Sequence, residues 1–141
     1  MPKIVVFWIL LLIPSITMSG ELAPKPDRFH ECRTLGDAVN EVRECFFAVG
    51  ETVEREMVDA YLGARNALEA FDHEHALKSD HFTSTLLQET QIAFEQYRKL
   101  HCQFPERVSL GGTGAINVTL ACRVDLTLLR ILHLREYASI K

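Results

Sequence analysis

The sequence predicts an all-α fold: a single domain of about four helices, stapled by two disulfides. Three observations carry that expectation. Apolar residues recur at steps of three and four in several separate segments, which is the spacing of one helix face. No period-two alternation persists past the N-terminal segment; "FPERVSL" hints at it but is short and flanked by breakers. All four cysteines, Cys32, Cys45, Cys102 and Cys122, follow an apolar N-terminal run, and an even count in an exported chain reads as two bridges. At 141 residues the chain is long enough for one domain and short for two.

The N-terminal segment stands apart from the fold. "MPKIVVFWILLLIPSITMSG" has one positive charge, Lys3, then an apolar run from Ile4 to Ile13, then Pro14 and small residues. That is the plan of a secretory signal peptide over residues 1–19, cleaved after Ser19 with Thr17 at the minus-three position. The competing reading is a membrane anchor, but the run is about ten residues against the ~20 needed to span a bilayer. Residues 20–31, "GELAPKPDRFHE", have two prolines and mixed charge and read as an extended leader. Residues 32–138 are then the helical domain.

Within that domain Thr34 opens the first helix, with Asp37 three residues on as a weak capping box. Leu35, Val39, Val42, Phe46 and Val49 form its stripe, and Gly50 is expected to end it. The second helix runs from Glu51, with Val53, Met57, Ala60, Tyr61, Ala64, Leu68 and Phe71 at helix spacing. Its pattern weakens through "FDHEHALKSDHF". The third helix restarts at Thr83 or Thr85, where Thr85 and Gln88 offer a capping box, and runs to Cys102. Pro105 and the "GGTG" of Gly111 to Gly114 mark a loop. The last helix spans about Ala115 to Ala138, with Leu120, Val124, Thr127, Ile131 and Leu134 as its stripe.

Four cysteines allow three pairings. The expected one is Cys32–Cys45 with Cys102–Cys122, because it closes two local loops, each worth ~3 kcal/mol on the loop-entropy account. A zinc site is the weaker reading, since no CxxC pair exists. The whole chain has a net charge of −4, and removal of Lys3 with the signal segment makes the remainder one charge more negative. Such a balance argues against nucleic acid or an anionic membrane as partner and is compatible with a basic protein.

The residues that carry chemistry are few. "DHEHALKSDH" gathers Asp72, His73, Glu74, His75, Asp80 and His81, all metal-ligating types. His73 and His75 are two apart and point to different sides of a helix, so a solvated helix end or turn is the better reading. No GxSxG occurs, the cysteines are better used as bridges, and "GGTG" lacks the Lys-Ser or Lys-Thr of a phosphate loop. No catalytic residue, cofactor or metal is therefore assigned. "NVT" at Asn117 matches a glycosylation sequon, which matters only in a eukaryotic secretory pathway.

The informative anomaly is in "LLQETQIAFEQYRKLHC". Gln91 and Arg98 share the helix face of Leu87 and Phe94, and Thr127 and Arg130 share a face of the last helix. Polar groups on a packed face need partners. A polar network joining Gln91, Arg98, Thr127 and Arg130, with Tyr97, would supply them. The alternative is that both arginines reach out to water with only their stems packed.

These residues also carry a resemblance. The chain resembles the LprI-type lysozyme-inhibitor family of small exported bacterial proteins, from about Cys32 to Tyr137. The pattern comprises Cys32 and Cys45; the tyrosine-bearing helix "EREMVDAY" up to Tyr61; the run Leu87, Gln91, Phe94, Tyr97, Arg98, Cys102; the turn Gly111, Gly112, Thr113; and Cys122, Leu126, Thr127, Arg130, Leu134. The family usually has Trp where Phe94 stands, Asp where Lys99 stands and Leu-Asn where Met57-Val58 stand. The resemblance implies a periplasmic or secreted protein that binds and inhibits a lysozyme-type muramidase, in defence or immunity, and is not an enzyme. The segment expected to enter the target's cleft is "QFPERVSLGGTG", with Arg107, Gly111, Gly112 and Thr113. The alternative is a small periplasmic envelope domain with another protein partner and no inhibitory activity. A hydrolase or metal-binding protein using the histidine cluster is the third possibility.

Overall fold

The computed structural model describes residues 28–35, 39–78, 82–112 and 114–140. They form five α-helices: α1 His30–Arg33, α2 Val39–Glu74, α3 Thr83–His101, α4 Gln103–Val108 and α5 Ala115–Ala138. Among the described residues there is no strand, and no helix is long and apolar enough to cross a membrane. The expected signal segment and residues 20–27 of the leader lie outside the described residues.

Two expected helices are one. α2 runs its 36 residues straight through Gly50, a length of ~54 Å at the usual rise. A glycine inside a helix costs about 1 kcal/mol relative to alanine. Phe46 and Val53, on either side of Gly50, are both buried on the same stripe, and burying two such side chains contributes about 1.5–3 kcal/mol each. Continuity therefore wins over the local preference to stop.

α2, α3 and α5 make an up-down-up bundle. Asp72 of α2 meets Thr83 of α3, and Glu54 meets Arg98, so these helices are antiparallel. Glu54 also lies near Arg123, and Gly63 faces Ala138, so α5 runs parallel to α2. The most extensive packing is between α2 and α5. The core is built from Val53, Met57, Ala60, Ala64 and Leu68 of α2, Leu87 of α3, and Val124, Leu128, Ile131 and Leu134 of α5. The small Ala60 and Ala64 let the neighbouring helices come close to the α2 backbone.

The end of the leader belongs to the fold. Residues 28–31, expected to be extended, place Phe29 in the core, stacked on Phe46 at 4.2 Å between ring centroids. Arg28 donates both terminal nitrogens to Glu56 at 3.1 and 3.2 Å, and Cys32 is bridged to Cys45. Leu35, expected at the head of the first stripe, is exposed. Thr34 closes α1 by donating Oγ1 to the Glu31 carbonyl, while its expected capping partner Asp37 lies outside the described residues.

The expected loop after Cys102 begins as a helix, α4. Pro105 is its third residue, so its missing N–H falls in the first turn, where no helical acceptor is required. The turn that follows has left-handed backbone at Leu110 (φ 50°) and Gly111 (φ 72°). α5 then starts at Ala115, as its stripe implies.

Candidate functional site

The polar residues of the packed helix faces meet in two places. In the first, Arg130 Nε donates to Gln91 Oε1 at 2.9 Å, and Arg130 Nη2 to Thr90 Oγ1 at 3.2 Å. The Gln91 amide nitrogen in turn donates to Glu95 at 3.1 Å and lies 3.7 Å from the Met57 sulfur. Burial lowers the pKa of Arg130 from its ordinary value, with nearby Tyr137 and Tyr61 acting the other way. A guanidinium starts so high that it stays charged. In the second place, Arg98 donates to Thr127 Oγ1 and pairs with Glu54 at 2.8 Å. Thr127 is itself fixed by its hydroxyl, which donates to the Arg123 carbonyl at 2.7 Å.

Phe94 lies between these two sets. Both guanidinium carbons sit over its ring, at 5.4 Å for Arg98 and 5.7 Å for Arg130, within the distance at which the ring's π face attracts a cation. Gln91 is thus joined to Arg130 and Arg98 to Thr127, in two sets that each link α3 to α5, and Arg98 also links α3 to Glu54 of α2. Arg98 is buried rather than reaching out to water. Tyr97 is not with them. It is more than half exposed and stacks on His101, its hydroxyl 3.3 Å from His101 Nδ1. One helix position separates Tyr97 from Arg98, and a turn of about 100° takes it to the other face.

Two groups of the seam were not anticipated from sequence. Glu54 carried no signal, being one acid among many on α2. Asp72 belongs to the histidine cluster in the sequence, yet it caps α3. Its Oδ1 accepts from the N–H and hydroxyl of Thr83 (2.8 and 2.7 Å), and its Oδ2 from the N–H and hydroxyl of Ser84 (3.0 and 2.7 Å). These bonds satisfy helix donors that have no intrahelical acceptor, and the carboxylate faces the positive end of the helix dipole. Burial pushes the Asp72 pKa up; the four bonds, those from Ser84 first, outweigh it and hold the carboxyl at about 2. The expected Thr85–Gln88 box does not cap α3, whose N-cap residue is Phe82. A cap arriving from eleven residues upstream is invisible to a local motif.

The described histidines of the cluster are at the surface. His73, Glu74 and His75 are exposed at the end of α2, with His75 stacked on Phe71. Asp80 and His81 lie outside the described residues. Among the described residues no three His, Cys, Asp or Glu side chains gather as a metal would require. Asn117 sits in the first turn of α5 with its Oδ1 shielded from solvent.

The third feature is the corner made by the end of α3, α4 and the following turn. The Cys102–Cys122 bridge ties the start of α4 to α5, and Cys102 is buried. From this anchored base α4 projects Phe104 (67% exposed) and Val108 (80%), followed by Leu110 (92%). Arg107 is exposed beside Leu100 and Phe104, and Gly111 and Gly112 are exposed in the turn. Thr113 lies outside the described residues. Phe104 and Val108 on this short, covalently anchored helix, with Leu110 in the turn, form an exposed apolar surface.

Comparison with protein families agrees with the resemblance read from the sequence. The model of the family described as lysozyme inhibitor LprI matches residues 32–134. The match covers most of the chain, and the chain belongs to this family. No curated protein and no solved structure matched.

Proposed function

We propose that this LprI-family chain is exported to the periplasm or beyond, loses residues 1–19, and binds and inhibits a lysozyme-type muramidase. It acts as a binding protein and not as an enzyme. The observation that carries the reading is family membership over residues 32–134. Two disulfides suit an oxidising compartment, and the N-terminal charge–apolar–small plan suits export.

The contact surface in this reading is the segment 103–114, with Arg107, Gly111, Gly112 and Thr113. Muramidases cut with two carboxylates in an open cleft, and many animal lysozymes are basic. The net charge of −4 favours encounter with a basic enzyme. Phe104, Val108 and Leu110 then supply apolar area, and the Arg107 guanidinium approaches the cleft carboxylates. The Cys102–Cys122 bridge holds the corner in place before binding, which reduces the ordering cost.

The test is inhibition of c-type, g-type and i-type lysozymes by the oxidised protein in a cell-wall turbidity assay. Dose-dependent inhibition of one class is expected. Replacement of residues 103–114 by a Gly/Ser linker should abolish it; unchanged inhibition would move the contact to another surface. The second reading, an envelope domain with another protein partner, draws on one observation. The family's polar motif residues Gln91, Arg98, Thr127 and Arg130 are occupied in holding helices together. Absence of inhibition across all three classes would favour it.

A further inference from the structure

A second surface feature lies beside the Cys102–Cys122 bridge. A cleft of about 390 Å³ opens between the C-terminal half of α3 and the first turns of α5. Glu95, Arg98, Lys99, Gln103, Thr119 and Arg123 line it, with Cys102 at its base. On a chain of net charge −4, this lining has three cations and one carboxylate.

Both nearby carboxylates have partners, and Glu95 keeps its negative charge. Glu95 accepts the Gln91 amide at 3.1 Å. Glu54, on the far side of Arg98, takes the Arg98 guanidinium at 2.8 Å and is 3.6 Å from Arg123. One carboxylate thus serves two guanidiniums. Arg98 is more than nine-tenths buried and is held by Thr127 and Glu54, so its guanidinium is fixed in the wall, with its charge shared with Glu54. A fixed charge beside low-dielectric protein acts more strongly than a solvated one. Arg123 is about half exposed and Lys99 is exposed, so both can close on a ligand. A guanidinium presents N–H donors in a planar fork that matches an oxyanion, and an ammonium adds a point charge. The Gln103 amide offers a further donor at the rim.

We propose that this cleft is an oxyanion-binding site, taking a carboxylate or phosphate group through Arg123, Lys99 and the fixed guanidinium of Arg98. The cleft shares Gln103 with the start of the α4 corner, but its charged groups, Arg98, Lys99 and Arg123, lie on α3 and α5 and do not depend on what that corner binds.

The test is a two-dimensional NMR titration of the oxidised, isotope-labelled protein. Inorganic phosphate and acetate are added separately, with sodium chloride at matched ionic strength as the control. Saturable shifts at the amides of Lys99, Gln103, Thr119 and Arg123 are expected with phosphate or acetate and not with chloride. Saturation by phosphate alone assigns a phosphate group, saturation by acetate alone a carboxylate, and saturation by both an oxyanion site that takes either. Arg123→Ala with Lys99→Ala should remove the saturable shifts, and Lys99→Glu alone, which leaves the Arg123–Glu54 pair intact, should weaken binding by roughly tenfold. Glu95→Gln, which keeps an acceptor for Gln91, should tighten it. The proposal is overturned if neither anion saturates, or if the double variant saturates at the same concentration as the natural chain.

Discussion

Arg130 on α5 donates its Nε to the Oε1 of Gln91 on α3 at 2.9 Å, and that bond explains why a polar amide occupies a packed helix face. Gln91 is 8% exposed, and a buried amide without partners would be costly. Both ends of this amide are used, the oxygen by Arg130 and the nitrogen by Glu95. Replacement by leucine keeps the size but removes the acceptor, leaving a half-buried guanidinium short of a partner. Gln91→Leu should destabilise the protein by about 1–3 kcal/mol in urea unfolding. Unchanged stability would mean that the amide is dispensable to the helix packing.

Thr127 poses the same question from the other helix. It is 1% exposed, and its hydroxyl accepts from Arg98 while donating to the Arg123 carbonyl. Thr127→Val preserves shape and loses both bonds, with an expected cost of about 1–2 kcal/mol. Thr127→Ser keeps the hydroxyl and loses only a methyl group, so the two variants separate the polar contribution from packing. A valine variant as stable as the natural protein would assign Arg98's anchoring to Glu54 alone.

Gly50 lies inside α2, and an added Cβ there would meet nothing within 4 Å. Gly50→Ala should therefore raise stability by about 0.5–1 kcal/mol, because alanine lowers the backbone entropy lost on folding. A loss of stability would indicate that the helix does not continue through this residue in solution.

The Asp72 cap makes a prediction for pH. The folded-state pKa is about 2, below the ordinary value of about 3.9. A carboxyl depressed on folding contributes stability above its unfolded pKa, and that contribution is lost as pH falls through the folded value. The window is therefore about pH 4 down to 2. Thermal melts across it should show a steeper acid limb for the natural protein than for Asp72→Asn, which has no charge to lose. Superimposable acid limbs would argue that the α3 cap is not formed by an ionised Asp72.

Much of this protein was legible in the chain. The 3–4 spacing of Val53, Met57, Ala60, Ala64 and Leu68, and of Val124, Thr127, Ile131 and Leu134, defined buried faces, because a helix face is a local, periodic property. Cysteine placement implied both bridges, which join residues 13 and 20 positions apart. The motif residues indicated the family. Other features depended on contacts that no local pattern encodes. Gly50 looked like a helix end until burial on both sides carried α2 through it. Phe29 has the sequence context of a leader, and only its stacking on Phe46 places it in the core. Asp72 became the α3 cap, and Glu54 the partner of Arg98, only because an antiparallel α3 returns past them. Periodicity determined which faces are buried; the crossing of the helices decided which polar groups meet on them.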